Sequence, residues 1–303
     1  MTRPVVLFAV MCLIWGLTWI AMKIGVTAMP PVLFAALRFI AAGLLILALQ
    51  RARGARLAVR RGDWPRLVTI SLLIITFCYA PLFWGVERVA SGLAATINMA
   101  LVPVCLFLLG LAHGEERFSG RQVAALLAGL VGLALLFAPK IAADAHAELA
   151  GIVAIIGGTF AYCWGSILGR PLLRLYSSGL VAGLSTLIGG LALGLLSLVL
   201  EPGTLGSLRA LADPAVLASW LFLVLFGSLA AYTIYLRLLR DWGAAKVGMY
   251  AFVTPIVAII AGAAIFGERF GALELAGMAV LLVATWLALR KPPPTAVSAG
   301  QGA

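Results

Sequence analysis

Two basic side chains lie inside stretches that are otherwise apolar. The segment MKIGVTAMPPVLFAALRF, residues 22–39, reads as two apolar helices joined at a Pro-Pro turn, with Lys23 near the end of the first and Arg38 inside the second. Lys23 lies about three residues, or roughly 5 Å, from its helix end, so its ammonium group can reach the membrane interface. We therefore expect a topological or packing role for Lys23.

Arg38 lies deeper, some seven residues or roughly 10 Å into its helix. An unpaired arginine at the centre of a membrane helix costs about 2.5–3.5 kcal/mol on insertion scales, and the sequence places no carboxylate at this depth. The remaining partners are freed backbone carbonyls, water in a cavity, or the negative group of a ligand. Two interpretations stay open: Arg38 is a hydrogen-bond hub between helices, or it binds a substrate carboxylate.

Aromatic and polar side chains recur near the middle of the apolar stretches. Trp15 and Trp19 are i,i+4 neighbours on one helix face, and Tyr79 and Phe83 repeat that spacing. Tryptophan and tyrosine often form belts at the membrane interface, but mid-span residues are too deep for that explanation. Such residues either line a substrate cavity or hydrogen-bond neighbouring helices. The candidate substrate-binding residues are Trp15, Thr18, Trp19, Arg38, Tyr79, Phe83, Asn98, Tyr162, Trp164, Tyr232 and Tyr250.

Two prolines fall in the middle of predicted helices. Pro103 and Pro255 each remove one backbone hydrogen bond and favour a kink, which frees the carbonyls of Met99 and Ala251. Such breaks are tolerated in membranes where protein or water covers them. We expect the two helices that contain these prolines to be bent and to line the cavity.

Groups that would support catalysis or metal binding are missing from the middle of the apolar stretches. No Asp or Glu lies there, and the sequence has no Gly-rich phosphate loop and no Cys/His cluster. His113 and His146 fall at a helix end and in a loop. We therefore predict no catalytic residue, no metal, no cofactor and no carboxylate relay for protons at the membrane midplane.

The composition indicates an all-α integral membrane protein. Of the 303 residues, 63% are hydrophobic and 11% are charged, and the mean hydropathy is +1.12. A helix needs about 20 apolar residues to cross a bilayer, and only helices or closed barrels satisfy their backbone groups in lipid. The sequence predicts ten transmembrane helices, at 4–26, 30–50, 66–86, 92–113, 120–139, 149–171, 178–200, 215–238, 243–266 and 272–290.

The basic residues are concentrated on one side of this predicted topology. If the N-terminus is cytoplasmic, cytoplasmic segments hold fifteen Lys and Arg residues, many of them in the loop 51–66, and the opposite side holds four. This bias follows the positive-inside rule and predicts that both termini are cytoplasmic. The net charge of +11 therefore does not indicate nucleic acid, and membrane lipids are the expected surroundings. We interpret the loop 51–66 as a topology anchor, with a patch for lipid headgroups or for regulation as the alternative.

The second half of the chain repeats the first. With a constant offset of 152, residues 88–137 align with residues 240–289, including a contiguous Glu-Arg-Phe at 116–118 and 268–270 and the pair Asn98 and Tyr250. Because each half holds five predicted helices, the second half enters the membrane in the opposite sense. The predicted organisation is two inverted five-helix repeats, 1–148 and 149–291, around a central cavity, followed by a disordered tail at 292–303.

Several of these motifs resemble one known family. The runs IWGLTWIAMKIG and PPVLFAALRF, and the Pro…Gly…GE(E)RF pattern that closes the fourth and ninth predicted helices, resemble the EamA family of the drug/metabolite transporter superfamily over residues 5–290. The resemblance implies a basket of helices 1–4 and 6–9 around a cavity, with helices 5 and 10 outside it. It also implies export of amino acids and related metabolites, and one branch of the family exports aromatic amino acids.

Together these patterns predict a secondary transporter in a bacterial inner membrane, present as a monomer or a homodimer. It would export small organic metabolites by alternating access, in the first place amino acids with apolar or aromatic side chains. Aromatic residues suit an apolar body, while Arg or Asn can hold a carboxylate or an amine. The alternatives are export of nucleosides or of cationic drugs and toxins, and a channel-like facilitator. An intramembrane enzyme would need a nucleophile–base pair, and none is visible.

Overall fold

The computed structural model describes residues 3–86, 91–142, 149–201, 206–266 and 271–289. Within these ranges the chain forms ten longer helical segments, two short 3₁₀ helices (Arg61–Asp63 and Gly206–Ala212) and no strand. The segments are α1 (Arg3–Ala28), α2 (Pro31–Ala52), α3 (Trp64–Ser71, Leu72–Thr76 and Phe77–Val86), α4 (Ser91–Ala112), α5 (Gly120–Ala142), α6 (Leu149–Leu175), α7 (Ser178–Leu200), α8 (Pro214–Phe222, Leu223–Tyr232 and Thr233–Trp242), α9 (Ala244–Val247 and Tyr250–Phe266) and α10 (Ala272–Leu289).

Eight of these helices are long and apolar enough to cross a membrane, counted over the described residues. α4 and α9 contribute shorter apolar stretches, Ile97–Ala112 and Ala244–Ala258. The prediction of an all-helical membrane protein is therefore confirmed. α6 and α8 continue to Leu175 and Trp242, past the predicted ends at 171 and 238, because basic residues at the membrane interface end an apolar pattern without ending a helix.

α3 and α8 each contain a π-helical segment, Leu72–Thr76 and Leu223–Tyr232. π-helical segments are rare in proteins, and where they occur they often lie at functional sites. Pro103 and Pro255 lie inside α4 and α9 as predicted, and α9 is also interrupted before Tyr250. A Cβ atom at Gly248 would lie 3.4 Å from the Cα atom of Pro103, so α4 and α9 approach closely at the first of these prolines.

The helices pack mainly across the two halves of the chain. α2 packs against α7, and α5 packs against α10. α1 packs against α8 and α9, and α6 packs against α3 and α4. The α2–α7 crossing depends on glycine, because a Cβ atom at Gly43 would lie 2.6 Å from the backbone nitrogen of Leu187 and one at Gly190 would lie 2.8 Å from that of Ile40. Small residues allow this close crossing of membrane helices.

One end of the bundle carries an ionic network between α6 and the α4–α5 loop. Arg170 Nη1 lies 3.1 Å from Glu115 Oε2, and Arg174 Nη2 lies 2.6 Å from the same oxygen. Glu116 Oε1 lies 3.7 Å from Arg170 Nη1 and accepts a hydrogen bond of 3.3 Å from the backbone N–H of Ala245. These four charged residues, called the Glu115–Arg170 network below, tie the α4–α5 loop to α6 and to the first turn of α9.

Some predictions fall outside the described residues. They concern Glu268 with the following Arg-Phe pair, His146, the boundary near residue 148, and the tail at 292–303. The side chains of Trp19 and Lys23 are also outside the described set, so the roles predicted for them stay predictions.

Candidate functional site

A cavity of about 120 Å³ lies between seven helices: α1, α2, α3, α4, α6, α8 and α9. An engineered protein cavity of about 150 Å³ binds benzene, so a space of this size suits a small organic molecule or an aromatic ring. None of its lining residues among the described parts of the chain comes from α5 or α10. This agrees with the family resemblance, which implies that these two helices pack outside the basket. The resemblance also implies that α7 belongs to the basket, but no described residue of α7 lines the cavity.

Arg38 brings a cation to the wall of this cavity. The residue is 5% exposed, and its Nε atom donates a 2.9 Å hydrogen bond to Ser228 Oγ on α8. Its guanidinium carbon lies 4.8 Å from the centre of the Phe39 ring. The Nη1 and Nη2 atoms have no hydrogen-bonding or carboxylate partner among the described residues. One side of the guanidinium is therefore anchored, and the other side is available to an anion.

The second polar group of the wall is the amide of Asn98 on α4. Its Nδ2 atom donates a 2.8 Å hydrogen bond to Thr159 Oγ1 on α6. Thr159 is 1% exposed, and its hydroxyl donates in turn to the carbonyl oxygen of Ile155 at 2.8 Å. The side chain of Asn98 is thus held by a neighbouring helix and lines the cavity.

Tyrosine rings form the floor of the cavity, on the side that faces the Glu115–Arg170 network. Tyr235 is fully buried, and its ring centre lies 5.4 Å from that of Trp15, 5.8 Å from that of Tyr162 and 6.0 Å from that of Tyr250. The Tyr250 hydroxyl donates to the Tyr162 hydroxyl at 3.2 Å, and the Tyr235 hydroxyl donates to Ser166 Oγ at 2.9 Å. These contacts make a rigid, largely apolar surface with its polar tips satisfied.

Trp15 lies at the junction between the wall and the floor. Its Nε1 atom donates a 3.1 Å hydrogen bond to the backbone oxygen of Gly227, within the π-helical segment of α8. Its ring centre lies 4.6 Å from that of Tyr250, at an angle of 68°. The indole is therefore fixed by both a hydrogen bond and an edge-to-face contact, and its remaining surface faces the cavity.

The structure brings together eight of the eleven predicted substrate-binding residues. The residues that line the cavity are Trp15, Thr18, Arg38, Tyr79, Asn98, Tyr162, Tyr232 and Tyr250. Phe83 is 8% exposed and packs behind Tyr79, with 5.9 Å between ring centres. Trp164 does not reach the cavity: it is 39% exposed and contacts the ring of Phe160 on the outer surface of α6. The side chain of Trp19 is not described.

Three residues that shape the site were not predicted. Ser228 anchors Arg38, Thr159 anchors Asn98, and Gly227 accepts the bond from Trp15. One signal was available for Ser228, because it precedes Tyr232 by four residues and so shares its helix face. Thr159 carries no comparable signal, since a buried threonine usually hydrogen-bonds its own helix.

The arrangement combines one fixed cation, one amide and several aromatic faces. No acidic side chain lines the cavity among the described residues. The cavity is therefore positive and suited to a small ligand that has a carboxylate and an apolar body.

Comparison with known proteins identifies the family. The model of the EamA-like transporter family matches residues 2–138 and, separately, residues 149–290. The uncharacterized inner membrane transporter YedA of Escherichia coli (strain K12) is 31% identical over 279 residues, which are 91% of this chain and 87% of that protein. The probable amino-acid metabolite efflux pump of Salmonella typhimurium is 25% identical over 275 residues, 89% of each chain.

A solved crystal structure has the same fold, with a TM-score of 0.80 at 18% identity over 94% of this chain and 96% of the other. The family and the relatives are transporters and not enzymes. Together with the apolar helices, this makes the protein a multi-pass membrane protein. The chain belongs to the EamA-like transporter family.

Proposed function

We propose that the protein exports amino acids with apolar or aromatic side chains through the cavity around Arg38. The observation that carries this proposal is the buried guanidinium whose Nη atoms have no partner among the described residues. A buried cation without a counter-ion is costly unless a ligand completes it. Rings from Trp15, Tyr79 and Tyr250 around the same space suit the apolar part of such a ligand.

The proposed mechanism is alternating access between two inverted repeats of five transmembrane helices each. It is supported by the two separate matches of the family model, one in each half. The packing of the helices also supports it, because equivalent helices of the two halves make equivalent contacts. α1 packs against α8 and α9, and its equivalent α6 packs against α3 and α4, which are the equivalents of α8 and α9. Inverted repeats can exchange conformations around a site near the membrane midplane.

The Glu115–Arg170 network would act as the closed gate of this mechanism. Asn98 lies fourteen positions, or about 21 Å, before the last residue of α4, Ala112, and the network joins that end of α4 to α6. Between them lies the fully buried Tyr235. In the proposed orientation, with both termini in the cytoplasm of a bacterium, the network faces the cytoplasm and must open to admit substrate.

Counterflow in proteoliposomes tests the proposal. Purified protein would be reconstituted with unlabelled L-phenylalanine inside, and the entry of labelled L-phenylalanine would be followed. We expect saturable uptake that is accelerated by internal substrate. Uptake that rises linearly with concentration and shows no counterflow would indicate a channel, and counterflow with a nucleoside or a quaternary ammonium ion but not with phenylalanine would refute the substrate class.

A further inference from the structure

The amide of Asn98 has a single permitted orientation. Thr159 has one hydroxyl hydrogen, and the carbonyl of Ile155 lies 2.8 Å from Thr159 Oγ1 and can only accept. The hydroxyl hydrogen is therefore used on Ile155, and Thr159 Oγ1 can only accept from Asn98. The group that faces Thr159 at 2.8 Å must then be the NH₂ of the amide. The carbonyl oxygen Oδ1 points away from α6.

This oxygen is an open acceptor on the cavity wall. Oδ1 has no hydrogen-bond partner among the described residues. It is also not among the described polar atoms that are both fully buried and unpaired, so a ligand can reach it. Arg38, on α2, lines the same cavity. The cavity thus presents a cationic donor and a neutral acceptor to one enclosed space.

We infer that Asn98 Oδ1 binds the ammonium group of the substrate and that Thr159 is the residue that positions it. This inference rests on the proposed function. It adds that the cavity selects substrates that carry a free, protonated amine beside the carboxylate. The ammonium donates to Oδ1, and the neighbouring ring faces add cation–π attraction without an acidic residue. A cavity built only for a carboxylic acid would have no use for an open acceptor in the same cavity as the guanidinium.

Two acids that differ only in the amino group provide the test. Uptake of labelled L-phenylalanine and of labelled 3-phenylpropionate would be measured in proteoliposomes across a concentration series. A hydrogen bond from a charged donor predicts that wild type prefers phenylalanine by roughly 10- to 150-fold in half-saturating concentration. In Asn98→Ala, phenylalanine should weaken by that factor while phenylpropionate keeps its wild-type value.

Two variants of Thr159 distinguish a role in positioning Asn98 from general damage to the fold. Thr159→Val keeps the shape of the side chain but lets the amide rotate, so the preference for phenylalanine should fall. Thr159→Ser keeps the hydroxyl and should keep the preference. Thr285→Val is the matched control, because Thr285 also donates to its own helix, to Leu281 at 2.9 Å, on a helix that does not line the cavity. If Asn98→Ala does not fold, Thr159→Val and Thr159→Ser decide the question, through the ratio of the half-saturating concentrations of phenylpropionate and phenylalanine.

The outcomes distinguish this inference from the proposed function. If wild type takes up neither acid, the proposed function fails and the ammonium site fails with it. If wild type takes up both acids equally and Asn98→Ala changes neither, only the ammonium site is refuted. An equal loss of both acids in Asn98→Ala, or a preference that survives Thr159→Val, would also refute it.

Discussion

Replacing Arg38 by methionine separates the two roles that a buried membrane arginine can have. Methionine is unbranched and apolar, so Arg38→Met removes the charge and all five donors while keeping much of the side-chain length. If the guanidinium were only a hub between α2 and α8, the change would affect every substrate alike. If it is a carboxylate ligand, the change should affect only substrates that have a free carboxylate.

The structure gives the expected size of each effect. Folding loses one hydrogen bond between a charged donor and Ser228, worth about 1.5–3 kcal/mol, and is relieved of an arginine charge that costs about 2.5–3.5 kcal/mol within a membrane. The two contributions nearly cancel, so the stability of Arg38→Met should stay close to that of wild type. A carboxylate held by both Nη atoms would lose two charge-assisted hydrogen bonds, or about 3–6 kcal/mol, which weakens binding by at least about 100-fold.

The assay compares an acid with its amide. Counterflow of L-phenylalanine and of L-phenylalaninamide would be measured for wild type, Arg38→Met and Arg38→Lys, and thermal unfolding in detergent would be followed by tryptophan fluorescence. Arg209→Met, which changes an exposed arginine that does not line the cavity, is the control. We expect Arg38→Met to unfold at the wild-type temperature, to lose phenylalanine and to keep the amide. A folded Arg38→Met that handles both compounds at wild-type rates would refute the carboxylate role.

Four further predictions concern the rest of the bundle. Trp15→Ala should abolish counterflow and Trp164→Ala should leave it within about twofold of wild type, because Trp15 lines the cavity and Trp164 lies 39% exposed on the outer surface; equal losses would contradict this assignment. Arg170→Gln should weaken the Glu115–Arg170 network and speed maleimide labelling of Cys78, which lines the cavity, in a variant that keeps no other cysteine; an unchanged rate would rule out a gate there. Glu201→Ala should lower the free energy of unfolding by about 1–2 kcal/mol, read as a lower unfolding temperature with unchanged substrate preference, because Glu201 accepts hydrogen bonds from the Val32 and Leu33 amides at 2.8 and 2.9 Å at the start of α2. In intact cells, an impermeant maleimide should label Gly271→Cys and not Gly120→Cys; equal access to both would contradict the inverted orientation.

The sequence predicts the helices and most of the cavity lining for a physical reason. The thickness of the bilayer fixes the length of an apolar helix that crosses it, so a hydropathy pattern locates the helices. A polar group in the middle of such a helix must face protein or water. This requirement singles out Arg38, Asn98 and Tyr250, and all three line one cavity in the structure. It failed for Trp164, because an indole at the same depth is also stable against lipid and hydropathy does not report the rotation of a helix about its axis.

The anchoring residues could not be predicted in the same way. Ser228 and Thr159 matter because of where α8 and α6 cross α2 and α4, and that geometry depends on side-chain packing across many residues. A small hydroxyl has no distinctive pattern in sequence, since it can always bond to its own helix. The chemistry of the site was therefore visible in the sequence, whereas the groups that orient it were not.

These anchors connect the two halves of the chain at the site itself. Arg38 and Asn98 belong to the first half, and the hydroxyls that hold them, Ser228 and Thr159, belong to the second. Trp15 follows the same rule through its hydrogen bond to Gly227. Any movement of one half against the other must therefore break or rebuild the bonds that orient the guanidinium, the amide and the indole. A ligand shifts a conformational equilibrium only by binding its two states with different strength, and a site whose orientation depends on contacts between the halves has such a difference built into it.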